Sequence, residues 1–149
     1  MCIRDSPTGE ILPVEGTPLD FRTPHAIGER IGRTDYEPLA FGNGYDHNWA
    51  LDKPEAGTVS LAAEAYEPAT GIRMKIYTDQ PGLQFYAGQG MDGKEVGKRG
   101  DRHNFRSGIA LETQNFPDAP NHDNFPSSVL RPGETYTQHT VYAFETDEQ

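Results

Sequence analysis

Punctuation and alternation along this chain predict an all-β fold. Its 149 residues include 16 glycines and 12 prolines, above the roughly 7% and 5% of an average chain, so turns recur too often for long helices. Residues 60–66 and 72–78 alternate in character with a period of two and are joined by Glu67-Pro68-Ala69-Thr70-Gly71, the pattern of a hairpin with one apolar and one polar face. Residues 108–116 begin as a third alternating stretch, stopped by Pro117, which has no amide to give to a ladder. A chain of this length is long enough to bury a core as a single domain.

Taken in order, residues 7–18 place Gly and Pro around Ile11, Leu12 and Val14, an extended segment with turns. Residues 19–23 read as another short extended piece. Thr23-Pro24 caps at most one helical turn through Ile27 and Ile31, because Gly28 and Gly32 each cost a helix interior about 1 kcal/mol relative to Ala. After Gly42-Asn43-Gly44, residues 45–51 form a strand that begins close to Asp46. In the hairpin, Leu61, Ala63 and Ala65 oppose Ser60, Ala62 and Glu64, while Ile72, Met74 and Ile76 oppose Arg73, Lys75 and Tyr77. Pro81-Gly82 turns the chain into residues 83–87, with Gln84 and Tyr86 on one face and Leu83 and Phe85 on the other. Residues 91–106 are a polar surface loop rich in Gly, Lys and Arg. In the strand that follows, Ile109, Leu111 and Thr113 face one way and Ala110, Glu112 and Gln114 the other. Residues 118–126 form an Asn, Asp and Pro loop, residues 135–144 a ten-residue strand, and residues 145–149 a frayed acidic tail.

Composition narrows the function. A formal net charge of -10 opposes binding to a phosphate backbone, and no basic run is present for an anionic membrane. No stretch approaches 18 consecutive apolar residues. With Cys2 the single cysteine, there is no internal disulfide and no zinc signature, a pattern compatible with a reducing cytoplasm, where the protein is expected. Residues 1–6 are neither a signal peptide nor a recognisable domain start, and are expected to be foreign to the domain.

Three dispersed segments carry a resemblance. They are Asn43-Gly44-Tyr45-Asp46-His47-Asn48-Trp49, then Thr78-Asp79-Gln80-Pro81-Gly82-Leu83-Gln84-Phe85-Tyr86, then the stretch from Gly108 to Asp118 followed by Asn124-Phe125-Pro126-Ser127 and Leu130-Arg131-Pro132-Gly133-Glu134. In wording, order and spacing they resemble the aldose 1-epimerases, the galactose mutarotase family. The resemblance implies that residues 7–144 are the C-terminal portion of such a domain, somewhat under half of a complete member. It also implies a galactose mutarotase-like β-sandwich truncated at its N-terminus.

The chemistry implied is interconversion of the α and β anomers of a free aldohexose such as glucose or galactose, which needs a base at the C1 hydroxyl and an acid at the ring oxygen but no cofactor or metal. By resemblance, Glu112 occupies the general-base position, Asp46 that of an aspartate bonding sugar hydroxyls, and Gln84 that of a glutamine lining the pocket. An isolated strand glutamate is ordinarily a solvated surface residue. Here, however, the alternation places both Gln84 and Glu112 opposite large apolar neighbours, so both are able to face one cleft. The family's general-acid histidine belongs to a motif absent from these residues, and the fragment alone is expected to be inactive. His47 follows Asp46 and therefore points the other way, which makes it a packed imidazole behind the site. His25, His103, His122 and His139 show no partner pattern. Trp49 reads as core and Tyr86 as a stacking candidate. Asp118, Asn121, Asp123 and Asn124 read as a solvated turn, not a calcium loop. Two other readings stand beside this one: a non-catalytic carbohydrate-binding β-sandwich, and an epimerase of hexose 6-phosphates.

Overall fold

The computed structural model describes residues 2–3 and 9–147. Strands β1 (Cys2–Ile3), β2 (Asp46–Ala50), β3 (Ser60–Glu67), β4 (Ile72–Thr78), β5 (Gly82–Tyr86), β6 (Ala110–Gln114) and β7 (Thr140–Thr146) carry most of the regular structure. Two short helices, α1 (Ile27–Arg30) and α2 (Glu37–Gly42), and a 3-10 turn at Ala119–Asn121 complete it. The strands form two antiparallel sheets, ordered β1-β2-β5-β6 and β3-β4-β7, so the all-β expectation holds. Among the described residues no helix is long and apolar enough to cross a membrane.

The chain divides into two compact units, Met1–Ala50 with Gln84–Glu112 and Leu51–Leu83 with Thr113–Gln149; the boundaries fall inside β5 and β6. In the first, Val14, Leu19, Ile31, Leu39, Tyr45, Phe85 and Ala87 make one buried cluster, with Phe21, Tyr36, Trp49 and Leu111 packed against it. Tyr45 stacks on Phe85 at 5.3 Å between ring centroids, and Phe21 meets Tyr45 edge-on at 5.2 Å. Burying a side chain of Leu or Phe size is worth about 1.5–3 kcal/mol, so this cluster is what holds β2 and β5 in place. Of the six leading residues expected to be foreign, Cys2 and Ile3 pair with Trp49 and Asn48; Met1 and residues 4–6 lie outside the described residues.

The second unit is built on the hairpin. β3 and β4 pair from Glu67↔Ile72 to Ser60↔Thr78, and β7 lies along the other edge of β4 from Ile72↔Thr146 to Thr78↔Thr140. Ile76, at the centre, is fully buried. Phe116 and Phe125 are also buried and meet edge-on at 5.2 Å.

Four local expectations change. α2 falls where no helix was expected; Pro38 in its first turn supplies a preset φ, and Asn43 ends it in the left-handed conformation with its amide on the Leu39 carbonyl. A register shift between Leu61 and Ala63 pairs Leu61 with Tyr77 instead of leaving it beside Ala63, and Leu61 is 55% exposed as a result. Ile109 is exposed, leaving Leu111 as the apolar residue of that stretch that meets the core. The last strand starts at Thr140, not 135, and runs through Glu145 and Thr146 because β4 offers partners along its whole length. Lys75 Nζ holds the Glu145 carboxylate at 2.9 Å, and the Asp147 amide donates to the Gly71 carbonyl at 3.1 Å.

Candidate functional site

The register of β2 against β5 follows from two bonds at its ends. The Ala87 amide donates to the Tyr45 carbonyl at 2.9 Å and the Leu51 amide to the Pro81 carbonyl at 2.9 Å, so Asn48 stands opposite Gln84 and Asp46 opposite Tyr86. Tyr45, Trp49 and Phe85 then face the core, while Asp46, Asn48, Gln84 and Tyr86 share the other face. Diagonal neighbours across a sheet lie within reach of long side chains, and Gln84 uses that reach: its Nε2 donates to Asp46 Oδ1 at 2.8 Å. These two predicted site residues are in contact.

β6 brings the third. β5 leaves at Tyr86 and β6 enters after Gly108. The Arg106 amide donates to the Gly88 carbonyl at 2.9 Å, so the two neighbouring strands run antiparallel. Gly88, at φ 71°, has the Gly108 carbonyl oxygen 2.4 Å from where a Cβ would stand, so only glycine closes this junction. The residues between fold back on themselves through a Val96↔Arg102 bridge and a Gly93 amide to His103 carbonyl bond of 2.8 Å. With Leu111 turned to the core, Glu112 falls on the opposite face, where it is exposed. Asp46, Gln84 and Glu112 thus share one face of one sheet, with a packed aromatic layer behind it.

The remaining candidates sort by their contacts. His47 is 1% exposed and bonded at both ring nitrogens, to the Asp46 amide and the Pro38 carbonyl. Trp49 donates Nε1–H to the Leu19 carbonyl at 3.0 Å while packing against the core. Tyr86 shares the site face and accepts the Gly90 amide on its hydroxyl at 2.7 Å. Three outlying histidines do have partners, contrary to expectation: His25 Nδ1 lies 3.1 Å from Glu29 Oε2, His139 lies 3.2 Å from Asp79 Oδ2, and His122 Nε2 lies 3.2 Å from Asp118 Oδ2. In that second cluster, burial pushes the Asp79 carboxyl up, but the bonds from Gln80 and His139 outweigh it and hold the group below the ordinary carboxylate range. Asn48 received no role from the sequence, yet it is buried on the site face opposite Gln84. A polar residue at an outward strand position gives no sequence signal of such burial.

Comparison with known proteins gives a consistent answer. A family model described as aldose 1-epimerase matches residues 1–143. Galactose mutarotase from Homo sapiens is 41% identical over 138 residues, covering 93% of this chain and 38% of that protein. Aldose 1-epimerase from Escherichia coli K12 is 34% identical over 141 residues, covering 93% and 39% respectively. A solved structure of a GalM/aldose epimerase homologue from C. elegans superposes with a TM-score of 0.79 at 30% identity, over 94% of this chain and 40% of that one. The chain therefore spans well under half the length of these relatives.

Proposed function

We propose, from the premise that this chain belongs to the aldose 1-epimerase family, that residues 7–144 carry the base side of a mutarotase acting on free aldohexoses such as glucose and galactose. Glu112 takes the proton from the C1 hydroxyl as the bond from C1 to the ring oxygen breaks and a carbonyl forms at C1. The C1–C2 bond rotates, and the ring closes on the other face with the proton returned. Asp46 and Gln84 bind sugar hydroxyls and fix the ring against Glu112. The acid that protonates the ring oxygen is a histidine from a segment beyond these 149 residues. No cofactor enters the scheme.

The observation that carries this reading is the shared face: a Gln84–Asp46 pair at 2.8 Å on the side of the sheet away from the aromatic core, with the exposed Glu112 on the neighbouring strand. An exposed carboxylate on a rigid strand is available to an incoming hydroxyl. Polarimetry tests the assignment. The 149-residue chain alone is expected to show little or no mutarotation of glucose or galactose. In a chain extended to include the family's histidine motif, Glu112→Gln is expected to lower kcat at least about 100-fold, whereas Asp46→Ala raises KM more than it lowers kcat. Equal rates for wild type and Glu112→Gln would remove Glu112 from the base role.

A further inference from the structure

The pairing of β2 leaves one backbone group at the site to be satisfied in an unusual way. The bonds at Tyr45–Ala87 and Leu51–Pro81 make residues 45, 47, 49 and 51 the hydrogen-bonded positions against β5, so the Asp46 amide points away from that strand. Its acceptor is the side chain of the next residue: the Asp46 N–H donates to His47 Nδ1 at 3.0 Å. The other ring nitrogen, Nε2, lies 3.1 Å from the Pro38 carbonyl. A carbonyl only accepts and an amide N–H only donates, so one ring form satisfies both, the neutral imidazole with its proton on Nε2. The ring is 1% exposed and meets Trp49 edge-on at 6.1 Å. It cannot turn without abandoning two bonds in a place water does not reach.

This ring joins the first turn of α2 to the first residue of β2. The chain between them is held too: Gly44 donates to the Leu39 carbonyl at 3.1 Å, and Gln89 Nε2 donates to the Gly42 and Tyr45 carbonyls at 3.0 and 3.2 Å. Asp46 is therefore delivered to the site by a clamped turn whose final fastening is the imidazole behind it. We infer that His47 is a positioning residue. By accepting the Asp46 amide, it fixes the backbone from which the Asp46 carboxylate reaches Gln84 and, on the reading above, a sugar hydroxyl.

Two substitutions separate the two bonds. In His47→Asn the amide oxygen falls near the place of Nδ1 and keeps an acceptor for Asp46. In His47→Gln the amide nitrogen falls near the place of Nε2 and keeps the donor to Pro38 while the Asp46 amide loses its partner. Two-dimensional NMR of the full 149-residue chain reads the outcome through the Gln84 side-chain amide protons, which report the bond to Asp46 without any sugar. The expected result is a wild-type spectrum of the neutral Nε2–H tautomer, Gln84 signals unmoved in His47→Asn, and Gln84 signals shifted toward free-amide values in His47→Gln. D-galactose binding should stay within about twofold in the first variant and weaken about tenfold in the second, the size of one lost hydrogen bond. Equal Gln84 shifts in both variants would reduce His47 to packing, and an Nδ1–H or doubly protonated wild-type ring would overturn the inference outright. If wild type binds no hexose, the mutarotase reading falls while the Gln84 signals still decide the role of His47.

Discussion

The two compact units are stabilised in different ways. In the first, aromatic rings converge: Phe21, Tyr45, Trp49 and Phe85 contact one another with centroids 5.2 to 6.5 Å apart. The site face rests on that layer. In the second, fewer apolar side chains are buried, while Phe144 is 69% exposed and Ile72, Val141 and Tyr142 are exposed as well. Its order comes from strand register and polar ties, including the Arg73–Glu64 pair, Lys75 to Glu145, and the network in which Asp79 accepts from Gln80 Nε2 and the His139 amide at 2.9 Å each. A surface that must present carboxylates at fixed spacing needs the densely packed support, and the predicted site residues lie in the unit that has it.

Substitutions can break or sharpen this contrast. The largest effect is expected for Tyr45→Ala, which removes the centre of the ring cluster and its bond to the Pro18 carbonyl. Urea unfolding should show a loss of about 3–5 kcal/mol, and a loss below about 1 kcal/mol would mean that the rings do not act as one core. A middle-sized effect, about 1–2 kcal/mol near neutrality, is expected for Asp79→Asn, and it should depend on pH. Because the folded-state pKa of Asp79 lies below its ordinary value, the charged form stabilises the fold above about pH 4. That contribution is lost as pH falls through the lower folded-state value. Wild type should therefore lose stability more steeply than Asp79→Asn below pH 4, and parallel curves would show that the network contributes no charge-dependent stability. The smallest effect is expected for Phe144→Ser. With most of its ring in solvent, the change should fall within about 0.5 kcal/mol, and a cost of several kcal/mol would show that this face is not an open one.

Local pattern made the fold largely legible, and long-range pairing accounts for what was not. The hairpin was readable because Thr70-Gly71 closes two alternating runs, and Gly71 takes φ 69° there. β2, β5 and the single turn of α1 were readable for similar reasons of punctuation. α2 was missed because Pro38 and Asn43, its start and stop signals, also read as loop residues. Leu61 was assigned to the wrong face because a bulge depends on the partner strand, which alternation alone does not reveal. β7 was placed too early because residues 135–139 continue the alternation, but after a last backbone bond from the Asp79 amide to the His139 carbonyl at 3.2 Å the ladder gives way to side-chain ties such as Tyr136 Oη to Gln80 Oε1 at 3.1 Å. At the site, the faces of Gln84 and Glu112 could be read from alternation. The bond between Gln84 and Asp46 depends on a register between strands 38 residues apart in sequence, and the burial of Asn48 on that face follows from the same register.

On the proposed function, Asp46, Gln84 and Glu112 act together on one sugar. Titrating the isotope-labelled 149-residue chain with D-galactose while following amide and side-chain resonances tests it most directly. Signals from Asp46, Gln84 and Glu112 are expected to move together along a single saturation curve, while those of the second unit's hairpin stay still. Shifts confined to other residues, or saturation at Asp46 and Gln84 with Glu112 unmoved, would contradict it.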